Sequence, residues 1–455
     1  MKTGTLIRQR SWSWMLRNLI LPLGDLAFGQ KLMARLAYLE NAQWWDQERV
    51  FRVRNQSLSQ LIEVIYREVP YYREIMDQAK LKPGDILSPG DLWKLPISTK
   101  DILRKNYPDQ VIRLTGQKTY QASTSGSTGK NFYVREDAET AGRYRAIFLL
   151  ALEWAGWLFG EPQLQTGMTL TRSLDRVLKD WLLGCHYVSA FDLSDAHLDA
   201  TLELMEKQKI RHLWGYPGSL YLLAKRAARQ RWNLPLRSAV TWGDNLYSHY
   251  RETIESAFRT RVYDTYGCAE GIQISAQCEY GSYHIHDLDT LVEFLSDDGS
   301  PVPLGEHGNI VLTRLHPGPM PLVRYKIGDL GISAAGLPCP CGRGFGLMDS
   351  IQGRDTDIII TPDGNRLIVH FFTGILEFFP EIDTFQVIQD SLDSLTVRIV
   401  PTALYTLQSP ERIITRLKEK GAANFKIQIE LVDQIPLPPS GKRRFVISNI
   451  QAKPA

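Results

Sequence analysis

Apolar positions in the first part of the chain recur at helical spacing. Between residues 30 and 80 helix formers dominate, and Leu58, Leu61, Ile62 and Ile65 share one face ahead of the Val69-Pro70 step. This pattern predicts a helical N-terminal layer over about residues 30–110. Beyond it, β-branched and aromatic runs at 261–265, 291–295 and 309–313 alternate with helical stretches such as 220–231, which predicts an α/β body. Near residue 353 the polar run Gly353-Arg354-Asp355-Thr356-Asp357 precedes a strand candidate at 358–361 and the turn Pro362-Asp363-Gly364-Asn365. The main boundary is therefore expected there, between a large N-terminal domain, 1–353, and a small C-terminal α/β domain, 354–455. In the small domain, strands are expected at 385–389, 395–400 and 426–432. A helix should have Ser409 as N-cap, Pro410 at its first position, Lys418 and Lys420 in its last turn and Gly421 as terminator.

Composition narrows the partners. A net charge of +3 over 455 residues is too small to mark a polyelectrolyte-binding protein, so nucleic acid is not an expected partner. Five cysteines, an odd number, make a poor disulfide framework and point to a reducing cytoplasm. The most apolar stretches are interrupted by Arg17, Asp25 and Glu153, short of the roughly 18 uninterrupted residues of a membrane span. The N-terminus sets Arg8, Arg10 and Arg17 beside Trp12, Trp14 and Leu16 without the apolar core or cleavage site of a signal peptide, leaving a weak amphipathic membrane contact as an option.

Residues 123–130 read Ser-Thr-Ser-Gly-Ser-Thr-Gly-Lys. Gly126 and Gly129 let backbone N–H groups face an anion, Ser125, Ser127 and Thr128 donate further hydrogen bonds, and Lys130 adds a mobile cation, a combination suited to polyphosphate. The Walker pattern is not met, because Thr124 stands at the first glycine position and Asn131 follows the lysine, which disfavours a P-loop kinase or GTPase.

Together with that loop, Tyr266-Gly267-Cys268-Ala269-Glu270, Arg324-Tyr325-Lys326-Ile327-Gly328-Asp329 and Ser440-Gly441-Lys442 resemble, in order, the motifs of the adenylate-forming superfamily. Val69-Pro70-Tyr71-Tyr72, Leu95-Pro96-Ile97-Ser98-Thr99-Lys100, Pro321-Leu322-Val323-Arg324-Tyr325 and Cys339-Pro340-Cys341-Gly342-Arg343 resemble its phenylacetate-CoA ligase and CapK (coenzyme F390 synthetase-like) branch. The resemblance implies an acyl-adenylate-forming fold: a large multi-sheet α/β domain followed by a small mobile one. It implies that ATP converts a carboxylic acid, aryl or otherwise small, to acyl-AMP and pyrophosphate, and that CoA or a carrier thiol then takes the acyl group. Ser125 to Lys130 would hold the β- and γ-phosphates, Tyr266 and Gly267 the adenine, Asp329 the ribose hydroxyls, Arg354 the nucleotide, and Glu270 a Mg²⁺ ion. Lys442 would bridge the substrate carboxylate and the α-phosphate. Two positions depart from the pattern: Ala269 replaces the usual hydroxyl residue, and Thr356 stands where the hinge aspartate is expected. Alternatives are a CapK-type enzyme passing the acyl group to an amine or a sugar hydroxyl, or transferring AMP, and a non-catalytic ATP-binding scaffold.

Two further sites follow. The acid pocket is expected at Trp214, Tyr216, Trp242, Gly243 and Asp244, aromatic and small residues beside one carboxylate. Cys339 and Cys341, with Cys278 and either His284 or His286, could complete a structural Zn²⁺ shell, and the branch resemblance favours His284. Oligomeric state is not legible, a dimer being one option.

Overall fold

The N-terminal layer is helical, as its periodicity predicts. In the computed structural model a π-helical turn, Leu16–Ile20, runs into α1 (Leu21–Phe28), and α2 (Leu32–Ala42) and α3 (Gln47–Glu68) follow. Asp46 caps α3 by accepting from the Arg49 N–H, and the helix buries Val50, Leu58, Leu61, Ile62 and Ile65. Pro70 does not end the layer: it opens α4 (Pro70–Gln78), where a missing N–H leaves no helical bond unmade. The structure describes residues 11–113, 116, 118–124, 132–167, 172–190, 194–334, 336, 338–354, 359–363, 366–367, 369–376, 378–436 and 444–450.

A short helix, α5 (Lys100–Lys105), leads to the antiparallel hairpin β1 (Thr119–Thr124) and β2 (Phe132–Asp137), and β2 feeds the central helix α6 (Ala138–Trp154) through the Asp137 cap. The body is one sheet built from β3 (Gln163–Gly167), β4 (Cys185–Ser189), β5 (His212–Gly215), β6 (Ser238–Thr241), β7 (Val262–Cys268), β8 (Ile272–Gln277), β9 (Tyr283–Ile285), β10 (Thr290–Leu295), β11 (His307–Arg314), β12 (Tyr325–Ser333) and β13 (Leu347–Arg354). Their order is β10-β11-β12-β13-β9-β8-β7-β6-β5-β3-β4. From β4 to β7 neighbours run parallel, joined by helices including α7 (Leu174–Leu182), α8 (Asp195–Lys207), α9 (Pro217–Arg229) and α10 (Ser248–Phe258). At β7 the sense changes, because the tight β7–β8 connection makes an antiparallel pair. The turn that carries Glu270 sits at this change of sense. The main core lies between α2, α6 and the sheet, where Leu36, Leu150, Trp154, Trp157 and Trp214 pack together.

The chain divides into two units: Met1–Ile327 with Ile332–Ser350, and Gly328–Gly331 with Ile351–Ala455. The second contains β14 (Ile359–Ile360), β15 (Arg366–Leu367), α11 (Val369–Leu376), β16 (Ile382–Ser391), β17 (Ser394–Pro401), α12 (Ser409–Leu417), β18 (Lys426–Leu431) and β19 (Val446–Ser448), with a sheet ordered β18-β17-β16-β19. The N-cap expected at Ser409 falls one residue earlier, at Gln408. Ser409 is buried and its Oγ accepts from the Thr406 N–H, so the hydroxyl is occupied before the helix begins. Lys418 and Lys420 lie in a π-helical turn that Gly421 breaks at φ +143. Among the described residues no helix is long and apolar enough to cross a membrane.

Candidate functional site

The site is built around the end of β7. Tyr266 and Gly267 close the strand, and Glu270 sits in the turn to β8. Gly271 holds φ +73, and a Cβ there would lie 1.8 Å from Glu136 Oε1, so the turn needs glycine on both counts. Gly267 is equally confined, since a Cβ would meet the Ile272 carbonyl at 2.8 Å.

Glu270 is buried, yet its carboxylate is not isolated. The Tyr325 hydroxyl donates to Oε1 at 2.8 Å and the Lys100 ammonium lies 3.1 Å from the same oxygen. Burial alone would raise the carboxyl pKa; Lys100 first, then the Tyr325 hydroxyl, outweigh it and hold the group below its ordinary value. Glu270 is therefore held in its anionic form at neutral pH.

Three distant segments converge to make this geometry. Thr99 caps α5 by accepting from the Ile102 N–H, which sets Lys100 in its first turn. Ser98 is tied to β12 from both sides: its N–H donates to the Arg324 carbonyl at 2.8 Å, and its carbonyl accepts from the Lys326 N–H at 2.9 Å. Tyr325, between those partners, is fully buried and stacks on Phe132, ring centroids 6.1 Å apart. Arg324 holds φ +46 and spends its guanidinium on Glu293 and the Leu95 carbonyl. Lys100 and Tyr325 are thus site residues that a reading of motifs did not single out; the Pro-Ile-Ser-Thr-Lys and Arg-Tyr-Lys runs were the available signal.

Asp329 lies four residues after Tyr325 on β12, beyond Gly328 at φ +86, within the stretch assigned to the second unit. Arg354 ends β13. Ser125, Gly126, Ser127, Thr128, Gly129, Lys130 and Lys442 lie outside the described residues, as does the Arg354 side chain.

Of the expected pocket residues, Trp214 packs with the main core cluster. It is buried against Trp157, centroids 5.0 Å apart, and against Phe148. Tyr216 and Gly243 do come together, since a Cβ on Gly243 would stand 2.9 Å from the Tyr216 ring. The Asp244 carboxylate accepts from the Asn245 N–H, and Trp242 meets Phe148 edge to face at 5.4 Å. Two α6 side chains lie here unanticipated: Phe148, against Trp242, and Tyr144, whose pKa burial raises to about 12, with Cys268, Glu136 and Tyr216 nearby. Their signal was the helical spacing of an apolar stretch, indistinguishable in sequence from core.

The second cluster is sharper. Cys278, His284, Cys339 and Cys341 bring four donor atoms within 4.8 Å of one another. The sulfurs of Cys278 and Cys339 are 3.6 Å apart, and Cys341 Sγ is 3.2 Å from His284 Nε2. A tetrahedral Zn²⁺ with bonds of about 2.3 Å to sulfur requires S···S edges of about 3.8 Å, so the spacing fits a metal and not a disulfide. The surroundings fit as well. Backbone N–H groups two residues on, at Tyr280 and Arg343, each point at a sulfur at 3.4 Å, an arrangement that stabilises thiolate. His284 Nδ1 faces the Phe345 carbonyl at 3.4 Å, which turns Nε2 toward the cysteines. Burial lowers the His284 pKa to about 4, leaving a neutral imidazole, and raises Cys278 to about 12 in the absence of a cation. His286, the other option, is fully buried against Trp154 and Phe345 and stands outside the cluster.

Comparison with known proteins gives the following. A family model described as the CapK C-terminal domain matches residues 359–449. The protein CapK of Staphylococcus aureus is 24% identical over 450 residues, covering 96% of this chain and 97% of that one. A phenylacetate-coenzyme A ligase of Thermus thermophilus is 23% identical over 449 residues, covering 90% and 99%. Among solved structures, 2-hydroxyisobutyryl-CoA ligase in its postadenylation state with 2-HIB-AMP superimposes with TM-score 0.73 at 18% identity, over 90% of this chain and 92% of that one.

Proposed function

The chain belongs to the adenylate-forming superfamily, in its phenylacetate-CoA ligase and CapK branch, and on that premise we propose the roles of its residues and its substrate class. The reaction is ATP-dependent adenylation of a carboxylic acid followed by transfer to CoA. Joining the acid to AMP replaces oxide, which carboxylates do not expel, with a good leaving group. The observation that carries this reading is the buried, ionised Glu270 at the end of the Tyr-Gly-Cys-Ala-Glu strand, held by Lys100 and Tyr325.

In this reading Tyr266 and Gly267 receive the adenine, Asp329 accepts from the ribose hydroxyls with two acceptors and no donor, and Arg354 contacts the nucleotide. Ser125 to Lys130 cradle the departing pyrophosphate. Glu270 would hold Mg²⁺, which neutralises phosphate charge when bound. Lys442 bridges the carboxylate and α-phosphate from a C-terminal domain, 354–455, that moves between adenylation and thiolysis. The acid is aryl or otherwise small, because Tyr144, Phe148, Tyr216 and Trp242 supply an aromatic wall, with the Tyr216 ring packed close against Gly243. Cys278, His284, Cys339 and Cys341 would hold a structural Zn²⁺, all four positions being taken by protein groups. Three of the five cysteines are arranged for a metal and none of the five is in a disulfide, which supports a reducing cytoplasm as the site of action.

Substrate-dependent ATP–pyrophosphate exchange over aryl, fatty, amino and hydroxy acids tests the reading. One acid class should support exchange, and Lys442→Ala should lower it about 10²- to 10³-fold. Exchange with no acid despite MgATP binding would overturn it. A second acceptor reading is transfer of the acyl group to an amine or sugar hydroxyl. Trapping with CoA against hydroxylamine separates the two.

A further inference from the structure

Two helical segments of the first unit carry their apolar faces outward. In the N-terminal one Trp14, Leu19, Leu23 and Leu26 follow one another by five, four and three residues. The step of five spans the π-helical turn Leu16–Ile20, where i→i+5 bonding realigns positions five apart, so the four residues form one stripe. All four are exposed, as is Phe28, with Leu26 at 83% and Phe28 at 71%. What anchors the segment is its other side: Leu16 is fully buried, and Arg17 pairs with Glu40 and Glu153.

Helix α7 repeats the device. Leu174, Val177, Leu178 and Trp181 stand at i, i+3, i+4 and i+7, the spacing of a core-facing stripe. Yet all four are exposed, Leu174 at 88% and Trp181 at 71%. Inward, α7 turns Asp180, which accepts from Arg172 Nε and Nη2 at 2.8 and 2.6 Å, and at its end the half-buried Leu182. The helix is inside out by the rule that governs water-soluble surfaces.

Both segments border Gly160. A Cβ on Gly160 would lie 2.7 Å from side-chain atoms of Trp12 and Leu16, and one on Gly184, which follows α7, would lie 3.0 Å from the Gly160 carbonyl oxygen. Trp12, Ile20 and Leu21 pack on the same core cluster as Leu182 and Leu183. Charge then selects the occupant. In the sequence, residues 1–16 contain Lys2, Arg8 and Arg10 and no acidic residue, and Arg176 is exposed on α7. Leucine stripes with a tryptophan on each, in a chain whose first sixteen residues carry cations alone, match the interface of an anionic bilayer, where apolar chains enter the acyl boundary, indoles sit at the headgroups and cations meet lipid phosphate.

We propose that this chain docks on an anionic membrane surface through the Trp14–Leu19–Leu23–Leu26 and Leu174–Val177–Leu178–Trp181 stripes, lying in the interface without spanning the bilayer. The adenylation reading is independent of this docking and survives its failure.

The test is sedimentation of the full chain with phosphatidylcholine vesicles and with vesicles containing phosphatidylglycerol, at low and high salt, alongside solution mass without lipid. The anionic vesicles should bind at least about tenfold more protein, and salt should weaken the binding. Leu174→Glu with Leu178→Glu, and separately Leu23→Glu with Leu26→Glu, should each lower partition about tenfold or more while the thermal midpoint stays unchanged. Arg8→Ala should cost about fivefold on anionic vesicles only. Absence of vesicle binding overturns the proposal. So does a dimer dissolved by the Leu174 and Leu178 substitutions without vesicle binding, which would assign the face to a second copy of the chain.

Discussion

Tyr325→Phe isolates one hydroxyl in the proposed cation site. The substitution keeps the ring, its burial and its stacking on Phe132, and deletes only the 2.8 Å hydrogen bond to Glu270 Oε1. A hydrogen bond to a buried charged group is worth about 1.5–3 kcal/mol, and nothing in a phenylalanine replaces it. On the proposed role of Glu270, kcat/KM for ATP–pyrophosphate exchange should fall about tenfold to 150-fold, chiefly as a raised KM for MgATP. The pH dependence supplies an independent readout. Glu270 is held below its ordinary value by Lys100 and Tyr325 against burial, so its stabilisation is present above the unfolded carboxyl pKa and is lost as pH falls through the lower folded value. Removing one of its partners raises the folded pKa. The acid limb of the kcat/KM profile should therefore move to higher pH, and the stability deficit of the variant should be largest near neutrality and shrink on acidification. An unchanged acid limb together with unchanged exchange would refute the reasoning.

Cys339→Ser should abolish stoichiometric zinc, read by elemental analysis of protein purified without added metal, and lower the thermal midpoint; wild-type protein without zinc would remove the metal assignment. Gly271→Ala should cost about 1–2 kcal/mol from its left-handed backbone alone, with further loss of exchange as Glu136 is pushed aside, measured by denaturant melts and exchange assays. Burial pushes Asp264 up to about 6 although Thr241 and Tyr283 donate to it. Its neutral form is thus favoured in the fold, and stability should decline as pH rises from about 4 to 6, by up to about 3 kcal/mol. Asp264→Asn should flatten that decline; a parallel decline in the variant would refute the assignment.

Local signals were the legible ones. The four apolar positions from Leu58 to Ile65 are a one-helix pattern, and α3 buries all four. Ser409 failed as a cap because the competing partner, the Thr406 N–H, is a property of the preceding turn and not of the helix. His284 and His286 share one strand face, so periodicity cannot choose between them; the choice comes from where residues 339–341 return, more than fifty positions later. Lys100 escaped notice for the same reason, since its meaning depends on Glu270 and Tyr325, both remote in the chain. Trp214 shows a different limit: an aromatic beside a glycine reads as a pocket wall, and its packing against Trp157 and Phe148 was not legible in the sequence.

Product analysis tests the central claim most directly. The full chain is incubated with MgATP, an acid that supports exchange, and CoA, and nucleotides and thioesters are quantified together by mass spectrometry. The account predicts AMP, pyrophosphate and acyl-CoA in equal amounts, with acyl-AMP accumulating when CoA is omitted and both lost in Glu270→Gln. Release of ADP and phosphate instead, or turnover unaffected by Glu270→Gln, would contradict it.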